Sequence, residues 1–402
     1  MNDYPTGIGF EDALQQVMAL AATRRTDVRS VALGRAHGHV LATDVVSPLA
    51  LPPFDNSAMD GFAFRHADLT GAPLRLVGDR FAGPAGEAAI GIGECMRITT
   101  GAPLPAGADS VAIKENCLVD SGHVRVPLDT PAGANVRRAG EDVEVGQTVL
   151  YAGALLTPAR VALAAAAGVA TLGVARKPSV AVFTTGDELV EPGLPLAHGQ
   201  IHDSNRDLLM GLLRADGLEP TAWPALPDDP ARIEIALRDA ACAFDVVLTC
   251  GGVSAGEKDH VPAVLERFGR IAFWKVRMKP GMPLLVGELD QAVVLALPGN
   301  PVSVLATYLT LGRALLDGLQ GRREPRPHWR ARLSAPIEKK HARREFVRGL
   351  LEPRADGTLA VGPNAATGSH RLRAAAESNA LIVVPDGPQS LAAGDAVDVL
   401  PY

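Results

Sequence analysis

The chain has 402 residues, 47% hydrophobic and 21% charged, a globular composition too long for a single core, so about two to four domains are expected. A net charge of −6 argues against a nucleic-acid groove as the main business of the protein. Cys95, Cys117, Cys242 and Cys250 form no CxxC pair, which points to a reducing compartment without a cysteine metal site. The opening stretch MNDYPTGIGFEDALQQ has no basic segment leading into an apolar one, and a cytoplasmic protein that neither enters a membrane nor binds nucleic acid is expected.

In chain order, an apolar pattern predicts a helix over Phe10 to Ala22. From about residue 45 to 150, short β-like pieces (LRLVG, CMRITTG, SVAIKEN, HVRVPL, QTVLYAG) alternate with Gly and Pro and read as an all-β region. TPAR then starts a small-residue helix, with Thr157 as N-cap, Pro158 at its first position and Gly168 as its stop. The uncharged run Val161 to Ala175 is mostly Ala and Gly and too short to span a membrane. The β region is therefore read as an insertion between helical segments.

From Pro178 the pattern becomes α/β. SVAVFTTG reads as a strand and DSNRDLLMGLLRADG as a helix with Leu208, Leu209, Leu212 and Leu213 on one face. PARIEIALRDAA, FDVVLTCGG, IAFWKVRM, PLLVGEL and AVVLALPGN continue the alternation, and a long helix runs from Pro301 to about Gly318. Such alternation predicts a parallel sheet covered on both faces. GRREPRPHWRAR reads as a linker, and the remainder as a small β domain.

Ligands of an open parallel sheet bind beyond the carboxyl ends of its strands. Three Gly-bearing turns reach that edge: TTGDEL (184–189), TCGGVSAGEKDH (249–260) and LPGNPVS (297–303). Each could be a plain strand-to-helix turn; together they favour an anionic ligand held by backbone N–H groups. Glu188 and Asp259 would then share the crevice. Two carboxylates ~4 Å apart repel by roughly 4 kcal/mol at an effective dielectric of ~20, so a bridging cation is expected, Mg²⁺ being the usual choice with phosphate oxygens. Lys275 and Lys279, in FWKVRMKPG, bring positive charge to the same edge. The histidines show no metal-ligand spacing, and neither HExxH nor GxxxxGKS/T occurs.

These motifs, with DSNRDLL, resemble the molybdopterin-binding domain shared by enzymes of late molybdenum-cofactor assembly. PPFDNSAMDGFA (52–63), RITTGAPLPAGAD (97–109) and VRRAGEDV (136–143) narrow the resemblance to the molybdopterin molybdenumtransferase (molybdenum insertase) family, which includes part of gephyrin. The likeness covers essentially the whole chain. It implies a multi-domain α/β and β fold: a helical linking and dimerisation domain (1–45 plus 146–177), an inserted β domain (46–145), a doubly wound α/β domain (178–327) and a C-terminal β-barrel-like domain (328–402).

The implied reaction takes adenylated molybdopterin and molybdate, inserts molybdenum at the dithiolene and releases AMP with the help of Mg²⁺. The implied assembly is a homodimer whose active site is shared between subunits, with a molybdopterin adenylyltransferase and molybdoenzyme maturation factors as further partners. Carried over residue by residue, Asp60, Asp142, Glu188, Asp228, Asp259, Lys275 and Lys279 take catalytic roles. Thr100, Gly251, Gly252, Ser254, Pro298, Gly299, Asn300, Arg348 and Ser369 bind the cofactor, and Glu188 and Asp259 hold the metal. One departure is visible: the family often carries another basic residue after MKPG, where this chain has Met282. Two rival readings are a non-catalytic scaffold and the adenylyltransferase. The latter favours a GGTG turn and a single domain, against the GGVS and long N-terminal region here.

Overall fold

The computed structural model describes residues 4–84, 86–253, 256, 259–327 and 329–402. Its largest sheet runs, in spatial order, Thr6–Ile8, Arg270–Val276, Leu285–Leu289, Ala292–Leu297, Val246–Cys250, Val180–Thr184, Thr221–Ala222. Alternate side chains feed opposite faces, as a strand requires. Val180, Val182, Val246, Leu248, Val293 and Leu295 enter one core, and Ala181, Phe183, Val247, Val294 and Ala296 the other. Helix Asn205–Ala215 packs on the first face and helices Pro230–Ala243 and Val261–Phe268 on the second, giving the doubly wound fold expected. One strand departs from the expected direction. Leu285–Leu289 is antiparallel to both neighbours, because Asp290, at φ +49°, closes a tight hairpin to Ala292–Leu297.

The chain leaves Val180–Thr184 for Thr221–Ala222 on one side, then crosses to Val246–Cys250 on the other. The order of strands reverses at Val180–Thr184, and this switch opens a crevice between the carboxyl ends of 180–184 and 246–250.

The first helix, Phe10–Thr23, was expected with the linking segment 146–177; it packs elsewhere. Its buried stripe of Phe10, Ala13, Val17, Leu20 and Ala21 joins the α/β core, and Thr6–Ile8 extends the large sheet in parallel with Arg270–Val276. The reason is close fit. A Cβ on Gly318 would stand 2.6 Å from the Ala21 Cβ, so only glycine lets this helix lie against the end of the long core helix. That core helix spans Pro301–Leu319 with a π-turn at Tyr308–Gly312. Length and composition would let it cross a membrane, but it is largely buried within the α/β core.

The inserted β unit is a six-stranded sheet ordered Ser110–Ile113, Gly61–Phe64, Glu94–Ile98, Leu74–Arg80, His123–Arg125, Leu118–Asp120. The chain enters and leaves it through paired strands, Val45–Val46 with Thr148–Leu150 and Val28–Ala32 with Thr171–Ala175. Helices Leu33–Ala36 and Pro158–Ala166 complete the linking unit, the latter with Thr157 accepting at its start from the Arg160 N–H. At the C-terminus, Trp329–Leu333, Arg344–Pro353, Leu359–Pro363, Ala380–Val384 and Ala396–Pro401 close into a five-stranded barrel. Met278–Lys279 pairs in parallel with Arg344 and Glu345, which joins that barrel to the α/β unit.

Candidate functional site: two cavities on one turn

The crevice at the switch point holds a cavity of about 240 Å³. Glu188, Asp203, Asp228 and Asp259 line it, and its described lining includes no Lys or Arg. Buried Asp203 accepts from the Thr184 hydroxyl at 2.6 Å, and Asp259 Oδ2 accepts from the Gly256 N–H at 2.6 Å. Asn205 Nδ2 donates to the Gly299 carbonyl at 2.6 Å. Two acceptor-capable oxygens on this wall, Thr185 Oγ1 and Asn205 Oδ1, are buried with no hydrogen-bond partner among the described residues. A buried polar atom without a partner costs about 1–3 kcal/mol, so such atoms are ready for a ligand. Gly251, at φ +93°, lets the loop approach: a Cβ there would stand 2.7 Å from the Thr185 carbonyl oxygen. The Trp274 indole N–H donates to the Val253 carbonyl at 3.0 Å and anchors the same loop.

A second cavity, about 420 Å³, lies between the α/β unit and the barrel. Lys279, Arg343 and Arg348 line it with a single carboxylate, Glu345, whose Oε1 sits 2.9 Å from Lys279 Nζ. Arg348 is 5% exposed and has no carboxylate partner among the described residues. One of its terminal nitrogens donates to the Ala366 carbonyl, while its Nε is buried and unpartnered. Burial lowers its pKa from the ordinary guanidinium value, though such a group stays charged at neutral pH.

The two cavities share a wall. In the turn 297–303, Gly299 and Pro301 face the acidic cavity, while Pro298, Asn300 and Ser303 face the basic one. The barrel is tied to that turn, since the Val302 N–H donates to the Ser369 carbonyl at 3.2 Å.

Comparison with known proteins bears on what this arrangement serves. Family models match along the chain: the MoeA N-terminal region (domain I and II) over 8–168, the probable molybdopterin binding domain over 181–318, and the MoeA C-terminal region (domain IV) over 330–402. The Haemophilus influenzae molybdopterin molybdenumtransferase is 38% identical over 381 residues, 94% of each chain. The Mycobacterium tuberculosis molybdopterin molybdenumtransferase 2 is 39% identical over 92% of this chain and 94% of its own. The chain belongs to the molybdopterin molybdenumtransferase family. Membership makes it an enzyme, a transferase of molybdenum cofactor biosynthesis. The fold agrees: the Pyrococcus horikoshii OT3 molybdopterin biosynthesis moeA protein superposes with a TM-score of 0.85 at 28% identity, covering 99% of this chain and all of that one.

Within this molybdopterin molybdenumtransferase family member, the residues expected from sequence fall into three groups. Glu188, Asp228, Asp259, Gly251, Gly252 and Gly299 line the acidic cavity. Lys279, Pro298, Asn300, Arg348 and Ser369 line the basic one. Asp60, Thr100 and Asp142 reach neither cavity of their own chain. Asp60 Oδ1 accepts from the Thr100 N–H at 2.8 Å and its hydroxyl at 2.9 Å, with Lys114 Nζ 3.7 Å from the other oxygen, all inside the β unit. Asp142 is exposed there, its N–H donating to the Leu51 carbonyl. Lys275 also lines neither cavity: it sits at φ +65° with its ammonium 4.8 Å from the Trp274 ring, the ring that anchors the glycine loop. Ser254 lies outside the described residues.

The structure also adds residues that sequence reasoning did not single out. Asp203 and Asn205 belong to DSNRDLL, a motif already noted, and their partnerless or tightly bonded polar atoms mark them. Ser303, Arg343, Asn364 and Thr367 join the basic cavity, the last three from barrel segments with no distinguishing motif.

Proposed function

We propose that this enzyme inserts molybdenum from molybdate into adenylated molybdopterin and releases AMP in a Mg²⁺-dependent step. The observation that carries the reading is the shared turn 297–303, which sets an acidic, oxygen-rich cavity against a cation-rich one. The pterin diphosphate would lie along Gly252 and Gly299, where backbone N–H groups and the unpartnered Thr185 hydroxyl could donate to it, while the unpartnered Asn205 amide oxygen would accept from an N–H of the pterin. The tetrahedral oxyanion would sit with Lys279, Arg348, Asn300 and Ser369.

The acidic cavity fits a hard cation in its donor chemistry, since its carboxylates offer only oxygen. Among the described residues no cluster of three or more His, Cys, Asp or Glu is preassembled around a metal. Mg²⁺ suits that economy, because it is commonly held by one or two carboxylates plus substrate phosphates and waters. Glu188 and Asp259 would hold it, and when bound it would neutralise charge on the diphosphate. The protein's own part is to fix Asp259 through the Gly256 N–H, to orient the diphosphate by backbone donors, and to hold Arg348 beside the oxyanion through the Ala366 carbonyl.

We further propose a homodimer in which Asp60, Thr100 and Asp142 complete the neighbour's site. That none of the three lines either of these cavities of its own chain supports this. The central test mixes purified protein with adenylated molybdopterin and follows AMP on adding molybdate, with Mg²⁺ or with EDTA. AMP should appear only with molybdate and Mg²⁺ together. Release independent of molybdate would overturn the reaction, and release undiminished in EDTA would overturn the metal.

A further inference from the structure

The basic cavity has a cation that no motif announces. Arg343 lines it from the barrel side, in the segment leading into Arg344–Pro353. Its backbone is pinned from within. Lys339 is 3% exposed, and its ammonium donates to the His341 carbonyl at 3.1 Å and the Arg343 carbonyl at 2.8 Å. A buried ammonium spent on two carbonyls of one short loop fixes where that loop presents its side chains.

The guanidinium itself is held by no acid among the described residues. Its Nη1 contacts only the neutral Met282 sulfur, at 3.9 Å. The contrast with its neighbour is informative: Lys279 is matched by Glu345 at 2.9 Å, whereas Arg343 and Arg348 have no carboxylate partner among the described residues. Three cations against one carboxylate leave the lining with two surplus positive charges. A tetrahedral dianion would balance them, and a monoanion would not.

We propose that Arg343 is a binding residue for the dianionic oxyanion, supplying the second uncompensated charge of the basic cavity from the barrel. Arg348 supplies the first, buried and fixed; Arg343 supplies the other from the rim, resting on the Met282 thioether. Both uncompensated charges thus come from the barrel, Arg348 within strand Arg344–Pro353 and Arg343 from the segment leading into it, while the α/β unit contributes Lys279, already paired with Glu345. This inference rests on the reading of that cavity as the oxyanion site.

The test is calorimetric binding of sodium molybdate to the full-length protein, and of perrhenate, a tetrahedral monoanion of similar size. Arg343→Ala should weaken molybdate binding about 10- to 100-fold, with perrhenate weakened clearly less, at unchanged melting temperature. Placing a cation beside the gap, in the Arg343→Ala/Met282→Lys double variant, should recover at least tenfold. If Arg348→Ala weakens molybdate binding but Arg343→Ala changes it less than twofold, the role of Arg343 is overturned and the oxyanion cavity stands. If neither variant weakens it, the cavity assignment falls as well. If Arg343→Ala weakens both anions equally and Met282→Lys recovers nothing, Arg343 acts only on loop structure and the proposal is overturned.

Discussion

The acidic and basic cavities are built from the two sides of a seven-residue turn, yet their electrostatics are opposite. One gathers Glu188, Asp203, Asp228 and Asp259 with no cation in its described lining; the other gathers Lys279, Arg343 and Arg348 around Glu345 alone. Like charges so close are costly unless a partner arrives, and each cavity lacks the partner that the other half of the reaction provides. On the proposed reading, a cation carrying phosphate oxygens would sit with the acids and an oxyanion with the cations. If the proposed reading holds, the substrates complete the site electrostatically, and the polypeptide supplies two oppositely charged halves with one turn between them.

Neutralising one half should leave the other intact. Lys279→Gln should cost about 2–4 kcal/mol of transition-state stabilisation, roughly 30- to 1,000-fold in molybdate-dependent AMP release. Binding of the adenylated pterin should change little; equal losses in both would make Lys279 a general phosphate anchor. On the acidic side, Asp259→Asn should lower turnover on the order of 100-fold and leave molybdate affinity intact. Mg²⁺-dependent turnover surviving that change would remove Asp259 from the metal.

A smaller effect tests whether the β unit belongs to the partner's cavities. A mixed dimer of an Asp142→Ala subunit with a Lys275→Ala subunit should recover about half the wild-type activity, because one of its two sites then carries no lesion. A mixed dimer as inactive as its parents would put both residues in one subunit's site.

The smallest effect concerns pH. The Thr100 N–H, then its hydroxyl, then Lys114 hold the Asp60 carboxyl below its ordinary pKa. A folded-state pKa below the unfolded one stabilises above the ordinary carboxylate value, about 3.9, and that contribution is lost as pH falls through the folded value. Thr100→Val removes the hydroxyl donor, so Asp60 should titrate closer to the ordinary value by NMR, with acid sensitivity shifted upward. An unmoved titration would show that the hydroxyl contributes nothing.

How far the sequence revealed each half follows from how locally each is encoded. TTGDEL, TCGG and LPGN are consecutive residues at strand ends, so strand periodicity and glycine punctuation expose Glu188, Gly251, Gly252 and Gly299 together. The basic half is assembled across domains. Arg348 and Ser369 were recognisable only through family resemblance, and Arg343 was not, because nothing local says that its loop is pinned by Lys339. The reversed strand Leu285–Leu289 shows the same limit at smaller scale: nothing in the letters LDQA gives its turn residue Asp290 the φ of +49° that closes the hairpin. Helix Phe10–Thr23 was legible as a helix but not as a member of the α/β core, since an apolar stripe names no partner.

That last contact shapes how the chain must be made. Strand Thr6–Ile8 is synthesised well before its pairing strand, which, with Trp274 opposite Thr6, emerges more than 260 residues later. Until then the stripe of Phe10, Val17 and Leu20 has no native cover, while the inserted β unit and linking unit can already close on themselves. A fragment beginning at residue 178 would lack both the edge strand and the helix lying on Gly318. Such a fragment should melt lower and aggregate more readily than the intact chain, because the α/β unit is finished by a segment made long before the rest of it.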